Sequence, residues 1–223
     1  MKSPGFILIA ILIATFDGPA SADELPLFSA FQSFCVNTGG GADAVKPAVE
    51  MAGGKLLKPP ASSGGPYPQT VTSWSITIAD HKMIVSAGTA RSPYGPGRVA
   101  DSNHCTIVSY AKEDGSIAKI REWVGVPPSP YSTSDLVYYD FQEQGGARRP
   151  LPEDKSAFAA IMAAGQSWTL TIIGRMGGPV SVQLMHLLGA KPAPKQDTDP
   201  PSRNMKERTD WSAPSFLVPV WRL

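Results

Sequence analysis

The chain has 223 residues and carries 20 Lys and Arg against 19 Asp and Glu, for a formal net charge of +1. That balance, with the basic residues scattered, gives no electrostatic case for nucleic acid or an anionic membrane as partner. The length is enough to bury a core without dense cross-linking, and the chain holds only two Cys.

The N-terminus reads as an export signal. Lys2 and the free amine give a positive start, and Phe6 to Phe16 is uncharged and almost wholly apolar. Asp17-Gly18-Pro19 interrupts that run, and Ala20-Ser21-Ala22 supplies a small-x-small cleavage pattern. The expectation is a signal peptide over 1–22, cut between Ala22 and Asp23. A spanning helix needs about 20 apolar residues, whereas this run has 11. No Cys at the cleavage point offers a lipid anchor, and no later apolar run is long enough to span. The mature form is expected to be periplasmic or secreted and not to span a membrane. An even pair of Cys in an oxidising compartment predicts one disulfide, Cys35 to Cys105; two buried thiols are the alternative.

Leu27, Phe28, Phe31, Phe34 and Cys35 recur at helical spacing, which predicts an amphipathic helix over 27–36. Thr38 to Gly41 is a glycine-rich break. A second helix is expected over 42–52, with Gly53-Gly54 as its stop and Pro47 in its first turn. Residues 58–69 form a Pro-rich loop. Strict alternation over 72–78 predicts a strand, turned at Asp80-His81 into a second over 83–90. A third strand is expected over 104–111. Ile117, Ile120, Trp123 and Val124 predict a helix over 116–124, capped near Asp114 or Ser116. Strands over 136–142, 168–173 and 180–187 complete the pattern, with a short helix over 154–164 between the first two of these.

Turn-length links favour antiparallel pairing. The fold class expected is α+β: an antiparallel sheet of about six strands with helices on one face, preceded by a helical pair. The domain is expected over 23–189, followed by a Pro-rich polar linker over 190–210. The apolar segment 211–223 carries Trp211, Phe216, Val218 and Trp221. It is expected either to pack on the domain or to dock a partner.

Motifs for chemistry are missing. His81, His104 and His186 match no zinc spacing, and neither G-x-S-x-G nor S-x-x-K occurs. No catalytic, cofactor or metal residue is assigned, and no cofactor is expected. Gly39-Gly40-Gly41 is followed by no Lys-Ser/Thr, so it reads as a hinge. Arg148-Arg149, the only adjacent basic pair, reads as a solvated loop. Among the aromatics, Tyr138 and Tyr139 are neighbours on a strand and must face opposite sides.

Phe28-x-x-Phe31-x-x-Phe34-Cys35, Asp43-Ala44-Val45 and Ala52-Gly53-Gly54 together resemble the opening of small exported proteins from alphaproteobacteria and related groups. Those proteins have a Cys-bearing first helix, an Ala-rich second helix and a second Cys on a central strand. The resemblance implies export and an α+β domain, and it brings no catalytic residue. Three functions stay open: a non-catalytic domain binding an unknown protein or envelope component, an envelope hydrolase using His104 or His186, and a small-ligand carrier.

Overall fold

A computed structural model describes residues 25–58, 69–93, 98–112, 115–174 and 178–192. The export signal with Ala22 and Asp23, and the segment with Trp211, Phe216, Val218 and Trp221, lie outside the described residues.

One antiparallel sheet of eight strands forms the body of the chain. Its strands are β1 (Lys55–Leu56), β2 (Gln69–Ile78), β3 (His81–Pro93), β4 (Arg98–Ser109), β5 (Leu136–Gln144), β6 (Ala147–Pro150), β7 (Ser167–Gly174) and β8 (Val180–Pro192). Their order across the sheet is β1-β2-β3-β4-β8-β7-β5-β6. The antiparallel α+β class is as expected, but about six strands becomes eight. The two extra strands are the edges, Lys-Leu and Ala-Arg-Arg-Pro. Neither has an alternating pattern of its own. Each is recruited by hydrogen bonding to its longer neighbour, β2 or β5. Short edges bearing Lys, Arg and Pro also discourage pairing with another chain.

Alternation along the strands gives the sheet two unlike faces. Trp74, Val85, Ile107, Val182 and Ile172 line up in register across β2, β3, β4, β8 and β7, none more than 4% exposed. A parallel row of Ala87, Cys105, Leu184, Leu170 and Tyr139 is equally buried. Leu27, Phe31, Phe34, Val45, Val49, Ile120 and Val124 from the helices complete this core. The second face presents Ser73, Ser86, Thr106, Gln183, Thr171 and Tyr138 at the same level. Tyr138 is half-buried there and Tyr139 is in the core, so the two adjacent rings do separate.

The helix expected over 27–36 is present and unbroken, but it widens part-way, from α1 (Pro26–Ala30) into a π-helix (Phe31–Val36). The wider turn, closed by the Asn37 amide donating to the Gln32 carbonyl, leaves Phe31, Phe34 and Cys35 all buried. In α2 (Ala42–Met51), Pro47 sits in the interior instead of the first turn. Its ring faces solvent, while Val45 and Val49, both 0% exposed, hold the helix to the core across the missing N–H. The stop is as expected: Gly53, at φ 81°, lets Gly53 N–H reach the Glu50 carbonyl and Gly54 N–H the Val49 carbonyl.

Cys35 and Cys105 are joined, both 0% exposed, with Cα atoms 5.3 Å apart. The bridge ties the π-helix to the middle of β4. With a separation of 70 residues, the chain-entropy model credits it with about 4 kcal/mol. The Gly39-Gly40-Gly41 turn lies over the same strand. A Cβ on Gly40 would come 3.3 Å from that of Cys105, and Asn103 donates to the Gly39 carbonyl.

Candidate functional site

A cleft of about 540 Å³ opens where α3 (Ser116–Val124) leans over the ends of β5, β7 and β8. The helix lies where expected, but its N-cap is Gly115, with no side-chain cap. It carries the chain from β4 to β5 across the core face, over the places that β7 and β8 later fill. Ile120 and Val124, both 0% exposed, fasten it to the core. Ile117 and Arg121, on its flank, line the cleft.

The floor is apolar and comes from three strands: Val137 of β5, Ile172 of β7 and Val180 of β8. The space exists because the sheet runs out of side chains there. Gly174 faces Val180 in register, and a Cβ built on it would meet nothing within 4 Å. The rim is polar. Tyr110 is 54% exposed, and Lys112 and Arg121 are exposed cations. Neither cation pairs with any described residue. Asp135 is the acid at the cleft among the described residues. Its carboxylate accepts from the Ser134 hydroxyl at 3.2 Å, and its carbonyl from the Gly174 amide at 3.0 Å.

A second hollow, about 270 Å³, lies beside Phe28 and Trp123. Its two charges, Lys119 and Glu122, neutralise each other at 2.8 Å. Nearby, Arg148 lies over the Trp123 ring at 3.8 Å, donates to the Trp123 carbonyl and pairs with Glu143. It is thus a half-buried clamp between the β5–β6 hairpin and α3, and not the solvated loop residue the sequence suggests. Arg149 is exposed.

The three histidines stand apart. His104 lies on the second sheet face, where its Nε2 is 2.7 Å from the Ser102 hydroxyl and its Nδ1 3.5 Å from the Gln183 amide nitrogen. With the amide so placed, Gln183 donates to Nδ1, Nε2–H donates to Ser102, and Ser102 donates to the Ala90 carbonyl. Burial lowers the His104 pKa, which keeps the ring neutral. Ser102 is 4% exposed, and the nitrogen facing it already carries the proton. Asp101 points to the opposite side of β4, held by Arg91 at 2.7 Å and Lys191 at 3.4 Å, contacts that lower its pKa. It therefore cannot orient His104.

His186 stacks flat on Trp168, centroids 3.8 Å apart, and bonds to the Gly165 carbonyl. Burial lowers its pKa against the opposing pull of that carbonyl and of Glu143. His81 opens β3 beside the Ala79–Asp80 turn, so the turn falls one residue earlier than expected. Among the described residues no group of three or more His, Cys, Asp or Glu could hold a metal ion. No helix among them is long and apolar enough to cross a membrane.

Of the residues singled out by sequence, the structure joins Cys35 to Cys105. It keeps His104 and His186 on opposite faces of the sheet. The cleft residues had no signal in the sequence beyond Tyr110 being one of the aromatics. Lys112 sits in a connection, and Val137, Ile172 and Val180 read as ordinary strand residues. Comparison of the chain with protein-family models, with curated proteins and with solved structures gives no match.

Proposed function

We propose that the chain is an exported, non-catalytic binding domain of the cell envelope, with the cleft under α3 as its binding site. The carrying observation is the cleft itself: an apolar floor from three strands under a charged rim, within the volume range of small-molecule sites. The buried disulfide supports the export part, since such bonds persist in oxidising compartments. So does the resemblance of the N-terminal region to small exported proteins.

N-terminal sequencing of the protein from a periplasmic or secreted fraction should begin at Asp23. A full-length chain retained in the cytoplasm would sink the export reading. For the site, native mass spectrometry of gently purified protein should show a retained small molecule, absent from the cleft-filling variant Val137→Trp. An equal load on both proteins would move the site elsewhere.

A hydrolase built on His104 has one observation in its favour, the 2.7 Å contact with Ser102. It predicts turnover of activated esters that Ser102→Ala abolishes. Turnover unchanged in that variant removes it.

A further inference from the structure

The rim of the cleft selects among ligands, if the cleft is the binding site as proposed above. Lys112 follows β4 and Arg121 stands on α3, so two separate elements bring positive charge to one hollow. Other exposed cations, Lys46, Lys82 and Arg149 among them, also form no ion pair among the described residues, whereas Lys119 has an acid beside it in Glu122, and Arg91 and Lys191 have one in Asp101. Lys112 and Arg121 have none among the described residues. Between them and Val137, Ile172 and Val180 the surface changes from cationic to apolar within one cleft.

We infer that the ligand is an amphipathic monoanion, its carboxylate or sulfonate head between Lys112 and Arg121 and its apolar body along Val137, Ile172 and Val180. Three features argue for this class. The apolar floor rewards burial of a hydrocarbon or aromatic body, at roughly 25 cal/mol per Å² removed from water. Two cations with no partner among the described residues reward one negative head, and the planar guanidinium of Arg121 can hold a carboxylate with two hydrogen bonds. Asp135, also lining the cleft, opposes a second negative charge on the ligand.

Three ten-carbon amphiphiles test this by isothermal titration calorimetry on the full mature chain with its disulfide intact: decanoate, decanol and decyltrimethylammonium. Decanoate should bind about tenfold more tightly than decanol, and the cation more weakly than either. Lys112→Gln and Arg121→Gln should each cost decanoate about fivefold and leave decanol unchanged, the scale of a partly exposed charge contact. Raising the salt to 1 M should shrink the preference for decanoate. Equal binding of decanoate and decanol, or decanoate binding indifferent to both substitutions, overturns the ligand class while the cleft remains a binding site. If none of the three binds, the site itself is wrong. The same holds if decanoate still binds to folded Val137→Trp and Ile117→Trp proteins, checked by their unfolding midpoints.

Discussion

The two faces of the sheet are built from the same strands and differ in almost everything else. Ile107 and Thr106 are neighbours in β4; one is 0% exposed under the helices, the other half-buried among Ser86 and Gln183. The covered face is held by area, by shape and by one covalent tie. The second face mixes local polar pairs, such as Ser73 with Ser86 at 2.8 Å and Thr169 with Asp140 at 2.8 Å, with half-buried apolar side chains such as Ile84, Val108 and Ile173. Stability should therefore be concentrated on one side of a layer one strand thick. The cleft lies at the end of the covered face, where the apolar rows lose their side chains at Gly174.

The largest effect should come from cutting the tie. Cys35→Ser with Cys105→Ser, or reductant on the native protein, should lower unfolding stability by about 4 kcal/mol in a denaturant titration. A loss below about 1 kcal/mol would mean that the helices hold to the sheet without it. Next, Ile107→Ala should cost about 2–5 kcal/mol, whereas Thr106→Ala should stay within about 0.5 kcal/mol. Comparable losses at the two positions would break the contrast between the faces.

A smaller effect should appear with pH. Burial lowers the folded pKa of His104 and of His186. The unfolded chain therefore takes up those protons first as the pH falls. Their contribution is complete above about pH 6.5, the ordinary histidine value, and is lost as the pH drops from there through the folded values. His104→Gln should flatten part of that decline, measured as the unfolding midpoint against pH. Asp101, whose pKa is lowered by Arg91, acts in a separate window, its stabilisation lost as the pH falls below the ordinary Asp value of about 4. A slope unchanged between pH 6.5 and 5 in the His104 variant would show that the ring on the second face is more open than its surroundings imply.

Gly88 marks a place where even the second face has no tolerance. A Cβ there would lie 1.7 Å from the Thr70 carbonyl, so Gly88→Ala must push β2 and β3 apart. Nothing in the alternation of the flanking residues announces this, since a glycine within a strand pattern reads equally well as a bulge or as a simple weakness.

Local pattern decided a good deal. The alternation over 72–78, the helical spacing over 116–124 and the stop at Gly53-Gly54 reappear as β2, α3 and the end of α2, because each depends on neighbours a few residues apart. Asp154 likewise caps α4 (Lys155–Ala163), accepting from the Ser156 and Ala157 amides. The pairing of Cys35 with Cys105 followed from there being only two cysteines. The edge strands, the π-helix and the interior place of Pro47 were not legible, because neighbouring strands and core burial impose them against local preference.

What the sequence determined by itself is the α+β class, the antiparallel mode and the one covalent cross-link, all set by short-range periodicity and by composition. What only the tertiary structure decided is the order that inserts β7 and β8 between β4 and β5, and with it the cleft. Val137, Ile172 and Val180 become one floor, and Lys112 and Arg121 one rim, only when strands distant in sequence are laid side by side. No pattern along the chain encodes that meeting, since it is a property of the packed sheet and not of any segment in it.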